Sequence, residues 1–150
     1  MMKKLLIILA LVPLGNAFSQ ATVSASANVN DDLGMTRVKE LYKVFIDFTE
    51  LLHGTDVNKA RKYLSDGVLA QCSTENLQAL AKHIKADKKI ELLSHKMEYD
   101  TGRSGLELIQ LKYEGEPYPY EIFQVVFDKT NHIAFINSTR PDRMETKKTD

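Results

Sequence analysis

The chain has little of what fixes a function at sight. A single cysteine, Cys72, in 150 residues excludes an internal disulfide and any multi-cysteine metal cluster. Twenty basic and twenty acidic residues cancel, so the whole chain carries no electrostatic footprint for nucleic acid. The long apolar run, Leu5 to Leu14, is too short to cross a membrane, which takes about 20 residues. Seven glycines are scattered through turns and form no phosphate-cradling loop. No Gly-x-Ser-x-Gly elbow is present. His53, His83, His95 and His132 have no partner histidine two or four residues away, so there is no zinc signature, and neither a metal nor a cofactor is expected. What remains is an ordinary globular balance, 43% hydrophobic and 27% charged, which excludes collagen-like, disordered and multi-span membrane classes.

The chain opens on an address. Met1-Met2-Lys3-Lys4 is a short positive stretch, the apolar run follows, and small residues close it at Gly15-Asn16-Ala17-Phe18-Ser19. This is the layout of a secretory signal peptide over residues 1–19, with cleavage after Ala17 or after Ser19 and the latter favoured. The expected location is therefore outside the cytoplasm, periplasmic or secreted, in a bacterial cell. Residues 20–32 are small and polar without a period and read as a flexible leader, and residues 140–150 as a loose charged tail.

Between them lies one domain, residues 33–139. Met35, Val38, Leu41, Tyr42, Phe45, Phe48 and Leu52 recur at spacings of three and four, one face of an amphipathic helix that closes at His53-Gly54. Thr55 or Asp56 caps a second, shorter helix with Val57, Ala60 and Leu64 inward. Ser65-Asp66-Gly67 reads as a turn and Val68-Leu69-Ala70 as a stub of strand. Ser73 or Thr74 caps a third helix bearing Leu77, Leu80, Ala81 and Ile84. Cys72 before it reads as a small buried hydrophobe.

After Lys89 the period falls to two. Leu93, His95, Met97 and Tyr99 alternate with polar residues, and further strands are expected over Leu106–Tyr113, Tyr118–Phe127 and His132–Ser138. The fold class is then α+β: three N-terminal helices on a curved, antiparallel four-stranded meander. Parity gives the helix-facing set Met97, Tyr99, Ile109, Leu111, Tyr113, Phe123, Val125, Phe127, Ile133 and Phe135. The outward parity, which ought to be polar, instead holds Leu106, Leu108, Tyr118, Tyr120, Ile122, Val126, Ala134 and Ile136. Such a surplus marks either a self-association or partner surface, with Leu106, Leu108, Tyr120, Ile122, Val126 and Ile136 at the interface, or a sheet curved enough to hide its second face.

Leu41-Tyr42-Lys43-Val44-Phe45, Asn58 to Leu64, Leu77, Tyr113-Glu114-Gly115, Val125 to Lys129 and Ile133-Ala134-Phe135 together resemble the nuclear transport factor 2-like, or cystatin-like, superfamily. Within it the likeness is nearest to small exported bacterial domains of unknown function. The resemblance implies a cone-shaped roll, often dimeric through its sheet, with a cavity between the first helix and the sheet. Tyr42, Phe45, His95, Tyr99 and Tyr113 are the residues expected to line that cavity.

Catalytic members of that superfamily include ketosteroid-isomerase-like enzymes, which need a carboxylate base in an apolar pocket beside oxyanion donors. Here His95 and Glu107 are the residues of the right chemistry, but no stretch matches an enzymatic motif, and the first reading assigns no catalytic residue. Asp47 and Glu50 read as a solvated helix face, and Lys82, Lys85, Lys88, Lys89 and Lys96 as a solvated helix end. Three functions are open, in this order. The first is an exported, non-enzymatic module that binds a small apolar ligand or an envelope protein, or forms a homodimer through the outer sheet face. The second is a small-pocket isomerase or dehydratase using His95 or Glu107. The third is an inhibitor-like partner of a secreted enzyme. No nucleic acid and no membrane span in the mature chain are expected.

Overall fold

The computed structural model describes residues 32–98 and 105–140. The expected signal peptide, Tyr99, and all of the leader and tail except Asp32 and Arg140 lie outside the described residues. The chain runs α1 (Asp32–Leu52), a 3-10 helix (Val57–Tyr63), α2 (Asp66–Leu69), α3 (Thr74–His83), then β1 (Ile90–Glu98), β2 (Leu106–Tyr113), β3 (Ile122–Phe127) and β4 (Ile133–Thr139). The strands form one antiparallel sheet in the order β1-β2-β3-β4. Helices first and a meander after is the α+β class that the change of period implies.

The helix α1 forms on its apolar stripe: Val38, Leu41, Phe45, Phe48 and Leu52 are all buried. Met35 on the same stripe stays exposed, near the helix start. Asp56 caps the next helix, its carboxylate accepting from the Asn58 N–H at 3.0 Å. That helix is 3-10 rather than α. Its inward residues Val57 and Ala60 are three apart, the period of a 3-10 turn, and the Leu64 N–H bonds the Arg61 carbonyl. Ser73 caps α3 in a reciprocal box with Asn76. Cys72 is buried in the core, where burial pushes its thiol above the ordinary range.

Four expectations are corrected. The stub of strand lies earlier than expected: Leu64 makes a parallel bridge to Ile133, and Asp66–Leu69 is a single helical turn. β3 begins at Ile122 rather than Tyr118, because Pro119 has no N–H to give a ladder, so Tyr118 and Tyr120 precede the strand. β1 carries an irregularity between Leu92 and Ser94, which takes Leu93 out of the alternation and leaves it exposed. A second irregularity faces Val126/Phe127: Phe127 pairs with Ile133 and Val126 with Phe135, so Ala134 is the extra residue. Past it the parity of β4 inverts. Ile136, expected on the outer face, sits opposite Val125 in the core, whereas Phe135, expected inward, shares a row with Val126 and Leu108 on the other face.

The outer face is therefore less open than its sequence suggests. Leu108 and Val126 lie on it, yet they are only 6% and 4% exposed, and Leu106, Ile122 and Phe135 are half-buried. The inverted parity makes a distinction that denaturation can read. Ile136→Ala should cost about 2–5 kcal/mol, as a core truncation does, and Phe135→Ala clearly less, measured by urea unfolding. Equal losses would contradict the extra residue at Ala134.

Candidate functional site

The structure brings together two of the residues singled out by their chemistry. His95 on β1 and Glu107 on β2 are close in the sheet, and His95 Nε2 lies 3.0 Å from Glu107 Oε2. A third residue, which the sequence did not point to, completes the cluster. Arg37 of α1 donates from Nε and Nη2 to Glu107 Oε1, at 2.8 and 2.6 Å. Both nitrogens converge on one oxygen, so Arg37 grips Oε1 and His95 takes Oε2. Glu107 is 5% exposed, not solvated as its place at a strand start suggests.

The electrostatics follow from that arrangement. Burial opposes ionisation of Glu107, but the hydrogen bonds and charges of Arg37 and His95 outweigh it and hold the carboxyl below the ordinary carboxylate range. The Glu107 hydrogen bond in turn raises the Arg37 guanidinium above its usual value. A general acid or a poised base needs the opposite shift.

The remaining residues expected at a cavity separate. Phe45 and Tyr113 are fully buried in the core. Tyr113 stacks edge-on to Phe123, accepts the Lys85 N–H at 2.9 Å, and is pushed by burial to a pKa of about 12. It is a structural phenol, not an acid donor. Tyr42 lines an opening. With Ile46, Thr49, Glu50 and His53 it forms the α1 wall of a groove of about 710 Å³. The other wall is the linker Ile84–Lys89, without Asp87, and the first residues of β1, Ile90 to Leu92, with Glu114 beside them. Tyr42 spans the groove by donating its hydroxyl to the Ile90 carbonyl at 2.6 Å, and burial together with Glu114 and Glu91 raises its pKa.

His53 also faces this groove, and the sequence read it only as a helix end. Its Nε2 lies 3.0 Å from the Ala81 carbonyl oxygen and 2.8 Å from that of Ile84, at the end of α3. Elsewhere, Glu121 accepts the Ser138 hydroxyl and lies 2.7 Å from His83 Nε2, an ion-pair distance without hydrogen-bond alignment. With the carboxylate between serine and histidine, the imidazole has no hold on the hydroxyl proton, so this is not an activated nucleophile. Among the described residues no group of three or more His, Cys, Asp or Glu is placed to hold a metal, and no helix is long and apolar enough to cross a membrane.

Compared with family models, with curated proteins and with solved structures, the chain matches none.

The Glu107 cluster carries a signed pH dependence. Its folded pKa is depressed, so its stabilisation is present above the unfolded carboxyl value of about 4.3 and is lost as pH falls through the folded value. Glu107→Gln should cost about 1–3 kcal/mol at neutral pH, with the loss shrinking toward acid as the native carboxylate is protonated. Urea unfolding from neutral pH down to the acid limb checks it. A constant difference between the two proteins would reject the assignment.

Proposed function

We propose that this chain is an exported, non-enzymatic binding module whose site is the groove between α1 and the start of β1. The supporting observation is the groove itself: a preformed opening of about 710 Å³ with Tyr42, Ile46, Ile84, Ile90 and Leu92 among its lining. That volume falls within the range of small-molecule sites, roughly 300–1,000 Å³, and mixed apolar and polar walls are what such sites present. The export half of the reading rests on the signal-peptide layout of residues 1–19. The isomerase-like alternative draws no support from Glu107, whose two oxygens are taken and whose carboxyl is held ionised.

Titration of the protein with Nile red, an uncharged polarity-sensitive dye, tests the proposal. Saturable binding is expected. Ile46→Arg, which puts a charge in the groove, should weaken it by about tenfold or more. Gln124→Arg on β3, away from the groove, should leave it unchanged. Dye binding indifferent to Ile46→Arg would remove the groove from the reading.

A second reading, self-association through the outer sheet face, is favoured by the half-buried apolar row of Leu106, Ile122 and Phe135 on that face. Light scattering over a concentration series should then give a dimer mass, and Ile122→Glu a folded monomer. A wild-type monomer at all concentrations would end that reading and leave the groove proposal untouched.

A further inference from the structure

We infer that the groove takes an uncharged, largely apolar molecule carrying a hydrogen-bond donor, a hydroxyl or an N–H, and that His53 Nδ1 receives that donor. This rests on the binding reading above and adds the chemistry of the ligand to it. Both contacts of His53 Nε2 are to backbone carbonyl oxygens, Ala81 and Ile84, and a carbonyl oxygen can only accept. Nε2 therefore carries the proton, and in the neutral ring the lone pair lies on Nδ1. Nδ1 occupies the other side of the five-membered ring, turned away from the carbonyls that hold Nε2. Among the described residues no hydrogen bond reaches it, although His53 lines the groove and is exposed. The ring is thus anchored, its tautomer chosen, and its acceptor left for something outside the chain.

The charge on the walls argues for a neutral occupant. Lys85, Lys88 and Lys89 line the groove, and so do Glu50, Glu91 and Glu114, so the formal charges cancel. Several are already engaged: Lys88 lies 2.7 Å from Glu116, and Glu91 2.5 Å from Lys112. The walls carry no net charge that would favour an ion of either sign. Ile46, Ile90 and Leu92 offer the body of the ligand apolar contact.

Two probes of similar shape, para-phenylphenol and para-methylbiphenyl, test this on the full chain by displacement of Nile red and by calorimetry. They differ by a hydroxyl against a methyl, and hydrophobicity alone favours the methyl compound. Wild type should prefer the phenol by about tenfold, and His53→Phe should lose that preference while keeping its affinity for the methyl compound. Since His53→Phe also loses the bonds to α3, a thermal melt accompanies it. The wild-type comparison stands whether or not that variant folds. Equal binding of both probes by wild type, or a preference that survives in folded His53→Phe, overturns the inference and leaves the groove reading in place. Binding of an anionic amphipath such as laurate in preference to the phenol, with salt sensitivity, also overturns it. Failure of both probes and of Nile red to bind at all would take the groove reading down as well.

Discussion

The rest of this domain depends on how α1 is laid across the helix-facing side of the sheet. Leu41, Phe45 and Phe48 are fully buried, and burial of each such side chain is worth about 1.5–3 kcal/mol. That holds the helix down but is non-directional, so it does not choose where along the sheet the helix sits. Three polar ties choose it. Arg37 reaches Glu107 on β2 near the helix start, Tyr42 reaches the Ile90 carbonyl on β1, and His53 reaches the end of α3 just beyond the helix. Each hydrogen bond is worth only about 1 kcal/mol net. The Arg37–Glu107 pair gains little overall, because desolvation offsets most of its Coulomb attraction. Their contribution is therefore to orientation rather than to the bulk of the stability. The groove is a consequence: it lies along the part of α1 between Tyr42 and His53, against the linker from α3 to β1.

The linker does not close that space, and its charges say why. The Lys85 and Lys88 ammonium groups sit 5.3 and 5.6 Å from the centre of the Tyr113 ring and share Glu116. Tyr113 is itself fixed, because burial keeps its phenol neutral and its oxygen accepts the Lys85 N–H. A cation over an aromatic face gains something like 0.5–1 kcal/mol at a wet site, enough to bias a long side chain that otherwise moves freely. Two of the three lysines on the groove are biased in this way toward Glu116 and Tyr113.

How much of this was legible in the chain depends on the range over which each feature is set. The helices α1 and α3 and the meander are written locally, in the spacing of Leu41, Phe45 and Phe48 and in the alternation of β2 and β3. The two extra residues in the sheet, Leu93 and Ala134, are not, since the apolar pair Leu92-Leu93 and the apolar run Ile133 to Ile136 each let either parity look correct. That is why Ile136 and Phe135 exchange faces. Of the cluster on Glu107, His95 and the carboxylate could be picked out by type and strand parity. Arg37 could not, because it is 70 residues away and reads as one more charge on a helix. Tyr42 was legible as part of the apolar face. His53 was not, since its role depends on where the end of α3 falls, which no local pattern encodes.

The two histidine environments also separate binding from catalysis on physical grounds. A catalytic carboxylate is kept from compensating charge so that its proton affinity rises toward the working pH. Glu107 is treated in the opposite way, its burial overcome by a guanidinium and an imidazole that consume both oxygens. To act as a base it must first break one of these contacts inside a nearly closed site, which would leave either Arg37 without this acceptor or His95 without its carboxylate partner. His53 is arranged the other way round. Its Nε2 proton is committed to backbone carbonyls, and the residue itself is exposed and lines the groove. A fixed acceptor beside apolar walls discriminates by hydrogen bonding, because a ligand that lacks the donor leaves the nitrogen dry and unpaired. On the proposed reading the polar chemistry of the groove serves recognition, and the closed cluster on Glu107 ties down the helix that forms one of its walls.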